Sequence, residues 1–395
     1  MLESLRILDL TWVLGGPYAG QLLAQLGADV IKVESPSGDP SREIPPYFFD
    51  GDSSFFLSVN RGKSSVVIDL KTASGLEVFY DLVRESDAVM YGYAPDVPRR
   101  LGIDYESLRA VNPRICVGQL IGLHDKGEFV RAPAYDLIVQ ALGGIMSING
   151  YPDRPPSRVG YQIADLAGGS FLALAVCGAL AGRTPTEGSH VQVSLLDCQL
   201  ALLTWQAQNY FISGEVPQAS GSRSPMIAPS EVFAAADGTY LAVSPTGTKF
   251  WTSFCQVIGL SELADDPRFD SRLGRLENVE ELAEIISEQI RSKTSADWLR
   301  RFAAERVPVA PVLNVEEAVR QPVARLRNMT ETVVNPSTSN TTEFLGNPFK
   351  YEKSKPLPYP PQRGQDTTDV LKRVCGYTDD RIDELSRDGS IGVSK

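Results

Sequence analysis

The stretch RILDLTWVLGGPYAGQLLAQLGADVIKVE, Arg6–Glu34, decides the fold. Arg6–Leu10 is a short apolar run that fits a strand. Gly15 and Gly16 then mark a loop, and Pro17 suits the first turn of a helix reaching Gly27. Asp29–Glu34 supplies a second apolar, β-branched run. Strand, glycine loop, helix and strand in this order predict a Rossmann-like βαβ unit. The glycine spacing is GGxxxG rather than GxGxxG, so the unit argues for the fold and not for a nicotinamide site.

Working outward, Ser64–Leu70, Ala88–Tyr93, Arg114–Leu120 and His190–Leu196 continue the strand pattern, with a helical pattern at Ser74–Ser86. The alternation predicts an α/β fold whose large domain is a mainly parallel sheet covered on both faces. That domain is expected over residues 1–213, followed by a polar linker at 214–228. A smaller α+β domain is expected at 229–315, with a hairpin turning at Asp237-Gly238 and two amphipathic helices between Asn278 and Glu305. Residues 316–395 carry too little apolar material for a core of their own and are expected to return to the large domain.

The 395 residues carry a formal charge of −11, which argues against general nucleic-acid or membrane-surface binding. The uncharged run Leu166–Gly182 is short for a bilayer span and rich in Gly and Ala, so it is expected to be a buried helix. Cys116, Cys177, Cys198, Cys255 and Cys375 are dispersed without a CxxC pair. With no basic leader visible, they predict reduced thiols and a cytoplasmic protein. The two histidines, His124 and His190, have no ligand spacing, so no metal site is predicted. There is no GxSxG elbow for a serine triad. Arg61, Lys63, Lys71, Arg99 and Arg100 gather near predicted strand ends, where they fit either solvated surface or a phosphate-bearing ligand.

Asp165 is the acid in VGYQIADLAGGS, at the mouth of the apolar run. It fits an N-cap for the following helix. It equally fits a nucleophilic carboxylate held ionised by the helix dipole. The residues alone leave both open.

The chain resembles the class III coenzyme A transferases, the CaiB/BaiF family. The resemblance rests on LDLTWVLGGPYAGQLLAQLGADVIKVESPSGDPSR, NRGKSSVVIDLKTASG, APDVPRRLGIDYESLRAVNPRI, YDLIVQALGG, the segment around Asp165, EGSHVQVSLLD, DDPRF and VPVAPVLNVEEA. It implies two domains in an interlocked dimer, formed with a second copy or a related paralogue. It implies no permanently bound cofactor, with coenzyme A entering as the acyl-CoA substrate. Asp165 would attack the thioester to give an aspartyl acyl anhydride and then an aspartyl-CoA thioester, with Asp136 as supporting acid. CoA contacts carry over to Val13, Leu14, Gly15, Ile68, Lys71, Tyr93 and Arg100, and the acyl pocket to Trp12, Phe55 and Tyr135. Gly168 and Gly169 would leave room for the thioester.

Several positions depart from the family pattern. Ser35 and Pro133 stand where relatives place basic residues, which shifts phosphate binding toward Lys71 and Arg100. Leu14 and Phe55 replace polar oxalate contacts of the formyl-CoA branch, which favours a larger acid than oxalate, with succinyl-CoA as donor. Tyr135 stands where the racemase branch has its histidine. The resemblance therefore implies CoA transfer to a carboxylic acid. A racemase-like isomerase and a silent CoA-binding subunit are the alternatives.

Overall fold

Alternation of apolar side chains gives the large sheet two buried faces. Its seven strands are β1 (Arg6–Asp9), β2 (Asp29–Glu34), β3 (Lys63–Ile68), β4 (Ala88–Tyr91), β5 (Cys116–Ile121), β6 (His190–Ser194) and β7 (Ile391–Gly392). Leu8, Ile31, Val66, Val89 and Val117 face one core, completed by Val78, Phe79 and Leu82 of helix Ala73–Arg84. Ile7, Val30, Met90 and Cys116 face the other. That second core is completed by Leu22 and Leu23 of α1 (Gly15–Gln25) and by Leu172 and Val176 of a long helix, Ile163–Gly182. The computed structural model describes residues 1–184 and 186–393.

The strand order is β7-β3-β2-β1-β4-β5-β6. All pairs are parallel except the edge pair of β7 with β3. From β1 the chain winds outward through β2 and β3, then returns to place β4 on the other side of β1. The order therefore reverses between β1 and β4. Open α/β sheets take their ligands at the carboxyl ends of the strands flanking such a reversal, where the two following loops diverge.

Two compact units divide the chain. The first comprises Met1–Ile145, Arg158–Ile212 and Pro322–Lys395, and the second Met146–Ser157 and Ser213–Gln321. In the first, Val370, Leu371, Ile382, Leu385 and Ile391 join the core around Leu8. In the second, strands Val309–Pro311, Tyr240–Val243 and Glu231–Ala234 form an antiparallel sheet in that order. It packs with Trp251, Phe254, Trp298 and Phe302 in one core. Residues 214–228, read from sequence as a linker, cluster with this unit. Gly221 N–H donates to Gly150 O at 2.8 Å, and Arg223 pairs with Glu231 at 3.2 Å.

Candidate active site

The site begins with the loop between β1 and α1. Its conformation is set by buried charges beneath it. Lys32 Nζ lies 2.8 Å from Asp39 Oδ2 and donates to Thr11 O at 2.9 Å. Asp39 Oδ1 accepts from Val13 N–H at 3.2 Å. Asp9 accepts from Thr11 N–H at 3.0 Å and pairs with Lys63 at 2.9 Å, and Lys63 also donates to Pro17 O at 2.8 Å. This network holds Val13 at φ +67°, a conformation that a β-branched residue adopts only when its surroundings over-determine it. Arg61 and Lys63, which the sequence offered as ligand-binding cations, are therefore internal. Arg61 is likewise buried, 2.8 Å from Glu331.

Above the loop lies a cavity of about 460 Å³ at the sheet reversal. The loop after β1 supplies Trp12, Val13, Leu14 and Gly15, and the loop after β4 supplies Tyr93. Asp165 and Tyr135 complete the predicted residues that line it. Trp12 and Tyr93 form a tilted ring pair with centroids 6.2 Å apart. Phe55 sits outside the lining, in the short helix Ser54–Ser58. Ile68 is buried in the sheet core opposite Ile391. Lys71 follows β3 and Arg100 lies on helix Val97–Leu101 after β4, so both stand at the carboxyl edge of the sheet, exposed but outside the lining. His124, weighed from the sequence only as a metal ligand, and Arg131, not singled out at all, also line the cavity. Arg131 pairs with Asp96 at a loose 3.6 Å. No motif marked either residue, because each reaches the cavity through the loop after β5.

Helices α2 (Asp136–Leu142) and α3 (Ile163–Gly182) bring the two acids together. Asp165 is not the N-cap of α3. Gln162 holds that position, and Asp165 lies inside the first turn. The capping carboxylate comes from outside the helix: Asp136 Oδ1 accepts from Ala164 N–H at 2.9 Å and from Asp165 N–H at 3.4 Å. Asp136 is buried, and its Oδ2 accepts from Gln140 Nε2 at 2.6 Å.

With the amides committed to Asp136, the Asp165 carboxylate is left without a compensating donor or cation among the described residues. Burial, followed by the charge of Asp136, pushes its pKa up to about 7. The expectation that the helix end would hold it firmly ionised is corrected, because another acid occupies that end.

Gly168 and Gly169 do not leave space for a thioester. A Cβ on Gly169 would stand 2.2 Å from Gly15 O, and one on Gly168 2.3 Å from Leu195 Cδ2. These glycines let α3 approach α1 and the helix Leu195–Leu202. A Cβ on Gly15 would in turn meet Asp165 O at 2.9 Å, so the glycine loop and the Asp165 backbone are in direct contact. α3 is apolar and long enough by composition to cross a membrane, but half of that window is buried inside the protein, against α1, β5 and β6.

A cavity at the sheet reversal, with a partly buried acid of raised pKa facing aromatic and apolar walls, suits attack of a carboxylate on an acyl group. An Acetobacter aceti protein named acetyl-CoA:oxalate CoA-transferase is 39% identical over 331 residues, 83% of this chain and 84% of that protein. An Agrobacterium fabrum protein named succinate–glutarate CoA-transferase is 35% identical, covering 90% of this chain and 92% of its own. The crystal structure of a CaiB/BaiF family protein from Brucella suis, 31% identical, matches with a TM-score of 0.82 over 94% of this chain and 98% of that one. The family model described as CoA-transferase family III matches residues 2–367. The chain belongs to CoA-transferase family III and is a CoA-transferase.

Proposed function

We propose that this enzyme moves CoA from succinyl-CoA to a carboxylic acid larger than oxalate, with Asp165 as the covalent nucleophile and Asp136 as the supporting acid. The observation that carries the reading is the uncompensated Asp165 carboxylate in the cavity at the sheet reversal, with its pKa raised to about 7. A carboxylate poised near neutrality is both available as the anion and more basic than an ordinary aspartate, hence a stronger nucleophile.

Asp165 attacks the thioester carbonyl, the C–S bond breaks, and CoA leaves as the thiolate, giving a mixed anhydride. The thiolate attacks the aspartyl carbonyl and expels the donor acid, which leaves an aspartyl-CoA thioester. The acceptor carboxylate attacks that thioester and releases the thiolate again. Thiolate attack on the acceptor acyl carbon then regenerates Asp165. Asp136 keeps the first turn of the helix capped throughout, so the nucleophile's own amide is held while its carboxylate reacts.

Val13, Leu14, Gly15 and Tyr93 would flank the acyl-bearing end of CoA, with Lys71 and Arg100 meeting its phosphates from the same sheet edge; Ile68 would contribute only backbone. Trp12, Leu14 and Tyr135 support the larger acceptor, as do relatives named for glutarate, mesaconate and D-citramalate. Assembly as a homodimer or with a related chain, interlocked, belongs to the same reading. The exposure of Leu174, Phe211 and Ile212, each 69% or more, supports it. Five free cysteines support a reducing, cytoplasmic setting.

The test is to incubate the protein with succinyl-CoA, quench with hydroxylamine and map modified peptides by mass. Modification at Asp165, absent in Asp165→Ala, is expected, with glutarate or larger acids as acceptors. Turnover with oxalate alone would replace the acceptor, as the Acetobacter aceti relative's name suggests. Deuterium entering the α-carbon without CoA exchange would replace the transferase reading by an isomerase.

A further inference from the structure

Gln140 stands one turn beyond Asp136 on α2, on the same face, and is fully buried. Its Oε1 accepts from Val159 N–H at 2.9 Å, and its Nε2 donates to Asp136 Oδ2 at 2.6 Å. The backbone amide of Val159 can only donate, so the orientation of the glutamine amide is fixed and its NH2 group must face Asp136. Asp136 then spends its other oxygen on the amides of Ala164 and Asp165. A closed circuit results. Val159 and Asp165, the two ends of the segment that delivers the nucleophile, are both tied to α2, one through Gln140 and the other through Asp136. Gln140 lies outside the cavity lining.

We propose that Gln140 is a positioning residue for the reaction: its buried amide clamps the Asp136 carboxylate onto the first turn of α3 and anchors Val159 to the same clamp, so that Asp165 meets the acyl group in one orientation. The inference rests on Asp165 being the nucleophile. Of the titratable groups that line the cavity or touch the first turn of α3 (Asp136 on α2, and Tyr93, His124, Arg131 and Tyr135 around the cavity), Asp136 is the one whose charge bears on Asp165. A residue that fixes Asp136 therefore governs both the direction and the charge of the nucleophile.

The test uses the full-length enzyme with Gln140→Met, which keeps the volume, and Gln140→Glu, which keeps the hydrogen bonds only while protonated. For Gln140→Met, kcat is expected to fall ~10- to 100-fold, with KM for succinyl-CoA within about threefold of wild type. Its acid limb in the pH–rate profile is expected to move by roughly half a unit or more. Gln140→Glu should work best near about pH 6 and lose rate toward about pH 8, the reverse of wild type, as two facing carboxylates ionise.

Wild-type kcat within about twofold and an unmoved acid limb in Gln140→Met would overturn the proposal. Should Gln140→Met fail to fold, Gln140→Glu decides: a pH profile parallel to wild type overturns it. Asp165→Ala separates the two readings. Full turnover in Asp165→Ala defeats the nucleophile assignment itself. A dead Asp165→Ala beside normal Gln140 variants defeats only the clamp.

Discussion

Two sets of carboxylates lie at this site, one buried and one only partly buried, and they are treated in opposite ways. Beneath the glycine loop every acid has a cation: Asp9 has Lys63, Asp39 has Lys32, and Glu34 has Arg42 at 2.7 Å. Although burial pushes the other way, the neighbouring lysine and the Ser41 hydrogen bonds hold the Asp39 pKa down at about 2. Asp165 lines the cavity and feels the charge of Asp136 rather than that of a cation, and burial, then that charge, lift it to about 7. Asp39 is buried and Asp165 only partly so, yet it is the partly buried acid whose pKa is raised, so burial alone does not separate them. The difference lies in compensation. A paired carboxylate holds a strained loop, whereas on the proposed mechanism the uncompensated one turns the electrostatic cost into reactivity.

That contrast can be broken from either side. The largest expected effect is on chemistry: Asp165→Ala should lower kcat at least ~10³-fold in a CoA-transfer assay, because the proposed mechanism gives no other group the role of forming the anhydride. Next is the scaffold. Lys63→Met strands Asp9 without its cation and should cost about 3–5 kcal/mol in denaturant unfolding. Removing the charge of Asp165 should act in the opposite direction. Its folded pKa lies above the ordinary carboxylate value of 3.8. Wild type therefore loses stability as pH rises from about 4 through about 7, where the folded state must give up a proton it prefers to keep. Asp165→Asn should accordingly be more stable than wild type by about 2–4 kcal/mol above pH ~7.5, and equal to it near pH ~4. The smallest effect is expected at Gly169→Ala, where a methyl would press on Gly15 O. The helix shift should cost ~1–3 kcal/mol and lower activity with it, read from thermal unfolding and kcat together.

The sheet was legible because its strands are apolar, β-branched and separated by glycine and helix signals; Arg6–Glu34 alone carried the central βαβ unit. The cavity-lining residues Trp12–Gly15, Tyr93, Tyr135 and Asp165 came through the family resemblance. What stayed hidden depended on distance in the chain. Lys63 read as solvated surface or a phosphate ligand, since nothing local announces that Asp9, 54 positions away, will meet it. Val13 carries no sign that it will adopt a positive φ, because Asp39 and Lys32 impose it from below. Asp165 stayed open between cap and nucleophile because Asp136, which takes over the amides, lies on another helix. Gln140 was invisible as one polar residue in an apolar helix until both ends of its amide found partners.

The central claim of the proposed mechanism is that Asp165 is reactive because it is withdrawn from water beside the charge of Asp136, with no compensating cation among the described residues. The direct measurement is the pH dependence of hydroxylamine-trappable adduct formation from succinyl-CoA, in a single turnover, for wild type and Asp136→Asn. The account predicts a wild-type midpoint near about 7 that falls by roughly a unit or more once the Asp136 charge is gone. A wild-type midpoint near the ordinary aspartate value of about 4, unmoved by Asp136→Asn, would contradict it.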